Sequence, residues 1–285
     1  MIDNYNKIIA VVTGGGSGIG RELVRQLASA GADVAFCDLS PETVEQTAAL
    51  VREESPNVRV LAVQADVSSE ADLEAFRDAI TTTFNTDQVH LVINNAGVGG
   101  GGSMFTTERA DWERTFDIVW GGVYFGTRVF LPLLTAAPAA ALVNTSSVNG
   151  FYASIGVDRP HTAYSAAKFA VKGFTEALIT DLKVNAPHVS AHVVMPGHIG
   201  TRIVSNSMRA MVTEPTPEEA ELMLAAAEMF ENQAPTSAAE AAEIILDAVQ
   251  AGRWRILVGD DAHRLDENVR ANPEGAYDQP FFTLL

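Results

Sequence analysis

The sequence predicts a doubly wound parallel sheet of about seven strands between two helical layers, a three-layer αβα fold. Three observations carry that prediction. Seven short runs are continuously apolar, as in strands buried on both faces. Segments with helical patterning and helix-start signals separate these runs, so strand and helix alternate. A glycine cluster stands at the first strand-to-helix junction, where such sheets bind ligands.

The elements follow in order. Ile8–Val12 reads as the first strand, Thr13–Gly20 as a turn, and Arg21–Ala30 as the first helix. Asp33–Cys37 is the second strand, and Ser40-Pro41 places Pro at the first position of the next helix. Val58–Val63 is the third, followed by a weak capping box from Ser69 to Asp72. Val89–Ile93 leads into a flexible Gly99–Gly102 loop and a helix over 107–135. Ala141–Asn144 precedes an apolar-periodic helix over 162–184, and Val189–Met195 is the sixth strand. Residues 202–235 then interrupt the alternation as a helical insertion carrying Met208, Met211, Met223, Met229 and Phe230, with Thr216-Pro217 and Glu219 marking a helix start. Ser237 and Glu240 open the last sheet helix, and Arg255–Val258 is the seventh strand. Residues 259–285 read as a polar tail ending in Phe281-Phe282. Since no repeat or low-complexity linker divides the chain, 1–285 is one domain with a substrate-side insertion and a tail.

Composition excludes several classes. With 285 residues, 47% of them apolar, the chain can build a core without disulfides or metals. A net charge of -17 argues against nucleic acid and anionic membranes, which require a basic face. The single Cys37 lies in an apolar run and excludes a disulfide framework. The six His show no metal-ligand spacing, so no metal site is expected. The first apolar run is too short to span a membrane, and a cytoplasmic protein is the expectation. Only four residues are Lys, which singles out each one.

Thr13-Gly14-Gly15-Gly16-Ser17-Gly18-Ile19-Gly20 lets backbone approach a pyrophosphate, with helix-start amides to balance its charge. A glycine cluster can also be a plain turn; the strand-to-helix setting favours the dinucleotide. Asp38 ends the second strand, where a carboxylate accepts from an adenosine ribose and repels a 2′-phosphate, so NAD is favoured over NADP. The alternative is a carboxylate simply preceding a helix start. Arg21 is expected to point away along its helix. Tyr164 and Lys168, four apart, share one helix face; in isolation they are equally a surface pair.

These motifs occur with Asn94-Asn95-Ala96-Gly97 after the fourth strand, Ser146-Ser147-Val148 after the fifth, and Pro196-Gly197-His198-Ile199-Gly200-Thr201 after the sixth. In order and spacing they resemble the classical short-chain dehydrogenase/reductase family, from about Lys7 to Thr201 and more loosely to Val258. The resemblance implies a Rossmann fold and an NAD-dependent oxidoreductase interconverting a secondary alcohol and a ketone. It implies Tyr164 as general acid/base, its pKa lowered toward neutrality by Lys168 and the positive nicotinamide. Lys168 would also hold the nicotinamide ribose, and Ser147 would bond the substrate oxygen. It further implies that Gly14, Ser17, Gly18, Ile19 and Gly20 cradle the pyrophosphate and Asp38 binds ribose. Asp66 and Val67 would meet adenine, with Asn94, Ala96 and Gly97 lining the cofactor. Ile199 and Thr201 would fix the carboxamide, with Pro196 and Gly197 also at the cofactor.

Two departures stand out. Val119, in Phe116–Gly122, occupies the position of the family's catalytic Asn, although Gly121-Gly122 can keep the helix kink that this Asn supports. The alternative reading is therefore a catalytically weakened dinucleotide sensor or scaffold. Ser147 and Tyr164 are 17 apart, longer than usual for the family, which implies an insertion within Ser154–His161. It places Asp158, Arg159 and His161 beside the substrate mouth. Val148, Asn149, His161 and His198 are candidate substrate contacts, while a loop His such as His198 can equally be satisfied by backbone. The Met-rich insertion suits an apolar or cyclic small molecule. Surplus apolar residues on helix 162–184 and the family resemblance point to a homo-oligomer, a tetramer or a dimer.

Overall fold

The computed structural model describes residues 2–100, 102–154, 160–210 and 216–278. Asp158, Arg159, Met211 and Phe281-Phe282 lie outside them. Among the described residues the strands are β1 (Ile9–Thr13), β2 (Asp33–Asp38), β3 (Val60–Gln64), β4 (Leu91–Asn94), β5 (Ala140–Thr145), β6 (Val189–Pro196), β7 (Ile199–Gly200), β8 (Thr236–Ser237) and β9 (Arg255–Val258). Seven form one parallel sheet in the order β3-β2-β1-β4-β5-β6-β9, and β7 pairs with β8 alone. Chain order reverses between β1 and β4, which opens a crevice at their carboxyl ends.

The helices are α1 (Gly18–Ser29), α2 (Pro41–Glu54), α3 (Glu70–Phe84), α4 (Arg109–Phe116), α5 (Gly122–Ala136), α6 (Thr162–Asn185), α7 (Ile203–Ala210), α8 (Pro217–Asn232), α9 (Ala238–Gln250) and α10 (Asp260–Ala271). Alternate strand residues serve opposite layers. Ala10, Val12 and Phe36 pack with Leu23, Val51 and Ile245 of α1, α2 and α9. Ile9, Val11 and Cys37 face Phe76, Phe130 and Leu182 of α3, α5 and α6. Both strand faces are therefore dry, the condition that the continuously apolar runs imply.

Local signals set several boundaries. Ser40 Oγ accepts the Thr43 amide at 3.4 Å, and Ser69 Oγ accepts that of Asp72 at 3.2 Å. Ser237 and Glu240 complete a reciprocal capping box. The first helix starts at Gly18, three residues before the expected Arg21. The helix expected over 107–135 is α4 and α5 joined by a π-helical turn, Asp117–Gly121. Residues 109–136 are long and apolar enough to cross a membrane, yet more than half of that surface is buried against the rest of the fold. They form a core helix.

The C-terminal segment corrects its reading as a polar tail. Asp260–Ala271 is helical because Ala262, Leu265 and Val269 form a narrow apolar stripe that packs on Val148 and Tyr152. Asp260 and Asp261 in its first turn and Arg270 in its last complement the helix dipole.

Candidate active site

A cavity of about 520 Å³ extends along the crevice, from Asp38 at one end to Phe230 of α8 at the other. At the first end β1 runs into the glycine turn. Gly14 has φ +70°, and a Cβ there would lie 2.8 Å from the Ala96 Cα. Gly14, Ser17, Gly18 and Ile19 line the cavity; Gly20 does not. A Cβ on Gly20 would collide with the Gly14 carbonyl, so its role is to pack α1 against the turn. Ser17 gives α1 no side-chain cap, and the first helical turn borders the cavity.

Asp38 is fixed before any ligand contact. Its Oδ2 accepts the Gly16 amide at 2.9 Å and its Oδ1 that of Ser40 at 3.3 Å. Arg21 departs from expectation: instead of pointing away, it folds back to donate to the Gly16 carbonyl at 2.5 Å and Thr47 Oγ1 at 2.9 Å. The Gly16 carbonyl, which also accepts from Thr47 Oγ1 at 3.2 Å, anchors that bend.

Asp66 and Val67 line the cavity. Burial would raise the Asp66 pKa, but Ser68 and Arg114 outweigh it and hold the carboxyl below its usual range. The Arg114 Nη2–Asp66 Oδ2 distance is 2.7 Å. Nothing local in the sequence identifies Arg114, whose partner is 48 residues away. Ala96 and Gly97 also line the cavity, but Asn94 lies behind it. The Asn94 amide donates to Asn144 Oδ1 at 2.9 Å and ties β4 to β5. Its neighbour Asn95 borders the cavity and donates to the Thr13 carbonyl at 3.2 Å.

Ser147, Tyr164 and Lys168 meet where β5 ends and α6 begins. Lys168 Nζ donates to the Thr145 carbonyl at 2.8 Å and lies 5.4 Å from the centre of the Tyr164 ring. Ser147 Oγ accepts the Asn149 amide at 3.1 Å, and Ser147 lies close enough to Tyr164 to favour its ionised form. Burial pushes Tyr164 up to about 12, against a smaller downward pull from Ser147, and pushes Lys168 down to about 7. In the protein alone Tyr164 is thus harder to ionise than in water; the lowering that the resemblance implies also calls on the charge of the nicotinamide. Desolvation of both groups exceeds their mutual attraction. Val119 is fully buried with Tyr164 and Ala167, within the π-helical turn.

Pro196, Gly197, Ile199 and Thr201 border the cavity; so do Val148, Asn149 and His161. The His161 ring centre is 4.7 Å from that of Tyr164, and burial lowers its pKa to about 4. His198 lies off the cavity: its Nε2 is 2.7 Å from the Phe230 carbonyl, and its ring packs 4.2 Å from that of Phe230. The insertion closes the far side, where Asn206 of α7 donates to Ser17 Oγ at 3.0 Å and Ser207 Oγ accepts the Gly99 amide at 2.7 Å. The Gly99–Gly102 loop is thereby tied at one end to α7, and at the other through the Gly102 carbonyl to Thr162. Among the described residues no cluster of His, Cys, Asp or Glu could hold a metal.

The short chain dehydrogenase family model matches residues 8–211. SadH of Mycobacterium tuberculosis, whose name assigns it to the oxidoreductases and no further, is 35% identical over 93% of this chain and 91% of its own length. Levodione reductase of Leifsonia aquatica is 33% identical over 75% of this chain and 77% of that enzyme. A Burkholderia phymatum short-chain dehydrogenase/reductase solved in complex with NAD superposes with a TM-score of 0.84 at 29% identity, covering 98% of this chain and 97% of that one. With its sheet order, glycine turn and Tyr164–Lys168 pair in agreement, the chain belongs to the short-chain dehydrogenase/reductase family of oxidoreductases.

Proposed function

We propose that the protein interconverts a secondary alcohol and a ketone of an apolar or cyclic small molecule, with NAD as cofactor. The observation carrying this reading is one continuous cavity bordered by the glycine turn, Asp38, Ser147, Tyr164 and Lys168. The glycine turn and α1 would hold the pyrophosphate, Asp38 the adenosine ribose, and Lys168 the nicotinamide ribose. When bound, NAD supplies a hydride acceptor and a positive charge near the phenol. Tyr164 takes the hydroxyl proton of the alcohol while Ser147 holds the same oxygen. A phenol of pKa about 12 requires that added charge to work near neutral pH. His161, neutral and beside Tyr164, presents a polar group to substrate within an otherwise mainly apolar end. The relatives' names, one of them a reductase of levodione, support a carbonyl or alcohol substrate.

The weakened-scaffold reading rests on Val119. The π-helical turn at Asp117–Gly121 favours the enzyme, because it redirects backbone carbonyls without help from an Asn side chain. Reduced nicotinamide formation with a panel of hydrophobic secondary alcohols tests the proposal. Tyr164→Phe should lower kcat at least about a hundredfold, from the loss of acid/base catalysis. No turnover by wild type, or an unchanged Tyr164→Phe rate, refutes it.

The same reading places the protein in the cytoplasm as a homo-oligomer, a tetramer or a dimer. Trp120 of the π-helical turn and Phe174 of α6 meet edge to face at 5.3 Å, and Phe169 of α6 is 43% exposed. Light scattering measures the assembly.

A further inference from the structure

We propose that Asp261 is a positioning residue that braces the Pro196–His198 turn, and through it the nicotinamide end of the site, from the C-terminal helix. The inference rests on the dinucleotide reading above, although the contacts that carry it lie outside the cavity.

Asp261 is only 7% exposed, and its Oδ2 accepts the His198 amide at 2.6 Å across 63 residues. The two glycines nearest it make room for its side chain. A Cβ on Gly197 would run into both carboxylate oxygens, and one on Gly259 into Oδ1. The Gly197 amide is itself held by the Val258 carbonyl at 2.9 Å. Pro196 and Gly197 border the cavity, whereas Asp261 does not. The Oδ1 atom is buried with no hydrogen-bond partner. A carboxylate kept there at such a desolvation cost has one directed bond, the one to His198.

The helix behind it is well anchored. Asp266 of α10 pairs with Arg255 of β9 and with Arg270, and Ala262 and Leu265 pack on Val148 and Tyr152. Displacement of a reacting group by about 1 Å can cost on the order of a hundredfold in rate. A fixed carboxylate is a stiffer support for a three-residue turn than solvent.

Hydrogen exchange of the free protein reads this brace without any ligand. In Asp261→Ala the amides of residues 197–200 should exchange at least about tenfold faster, while those of residues 14–20 keep their rates. Calorimetry supplies the second reading. NAD should bind at least about tenfold more weakly, ADP, which lacks the nicotinamide half, within about twofold of wild type, and Asp261→Asn, which retains an oxygen acceptor, should recover most of the loss. Unchanged exchange at 197–200 overturns the inference, as does equal weakening of NAD and ADP. Failure of the wild type to bind NAD overturns the proposed function instead, and the exchange comparison still decides the brace.

Discussion

Asp38→Asn isolates the charge that selects the cofactor. The replacement retains an acceptor oxygen for the Gly16 amide, so the turn keeps its geometry while the negative charge is lost. A 2′-phosphate at about 4 Å from that carboxylate meets roughly 4 kcal/mol of repulsion per unit-charge pair at an effective dielectric near 20. Asp38 is partly open to solvent, and halving the figure for screening leaves about 2 kcal/mol, roughly thirtyfold. Arg21, folded back on the Gly16 carbonyl, keeps its positive charge and feels Asp38, so it offsets part of this repulsion within that halving. NAD should bind about tenfold more weakly, because a ribose hydrogen bond to a charged acceptor becomes one to a neutral amide. Initial rates with each cofactor over a concentration series give the two kcat/KM values. Their NADP-to-NAD ratio should rise by between two and three orders of magnitude, about thirtyfold from the relieved repulsion and about tenfold from the weaker ribose bond. A ratio that moves less than about threefold, or a wild type that uses both cofactors equally, refutes the assignment of selectivity to this carboxylate.

Val119→Asn puts an amide into the closed apolar cluster of Tyr164 and Ala167, which should cost about 2 kcal/mol and lower Tm by several degrees while kcat stays within about threefold. A tenfold gain in kcat would instead show that Val119 limits the chemistry. His161 titrates at about 4 in the folded protein against 6.5 unfolded. The unfolded chain therefore binds the extra proton between those values, and stability present above pH 6.5 is lost as pH falls toward 4. For a side chain partly open to the cavity this contribution is about 2 kcal/mol. Urea unfolding should show the wild type losing that much more than His161→Gln between pH 6.5 and pH 4, and parallel curves exclude the linkage.

The dinucleotide half was legible because its grammar is local. The glycine turn needs one strand and the helix that follows it, and Tyr164 with Lys168 needs only helical spacing. The continuously apolar strands likewise declare a sheet covered on both faces, and the two core layers follow. Asn94 and Gly20 show where local grammar stops. Both belong to recognisable motifs, yet one ties two strands together and the other lets a helix approach a carbonyl. A motif marks where the chain must pass close to itself as readily as where it meets a ligand. Spacing also shows the charge next to Tyr164 but not the burial of both groups, which in the protein alone raises Tyr164 and lowers Lys168.

The substrate half depends on pairs far apart in sequence. Asn206 reaches Ser17 across 189 residues, and Asp261 reaches His198 across 63. Neither partner belongs to a periodic pattern, and α10 was hidden by a mostly polar composition around its three-residue apolar stripe. The division has a physical consequence. Gly14 and Ala96 leave no room for change at the dinucleotide end, where backbone approaches backbone. Phe230, Ile203 and Val204 enter the cavity as side chains from α7 and α8, and α10 supports the adjoining turn from outside. Substitutions on these helices that spare Asn206, the residue bonding Ser17 of the glycine turn, can therefore reshape the substrate end while β1, β4 and that turn keep the cofactor geometry intact.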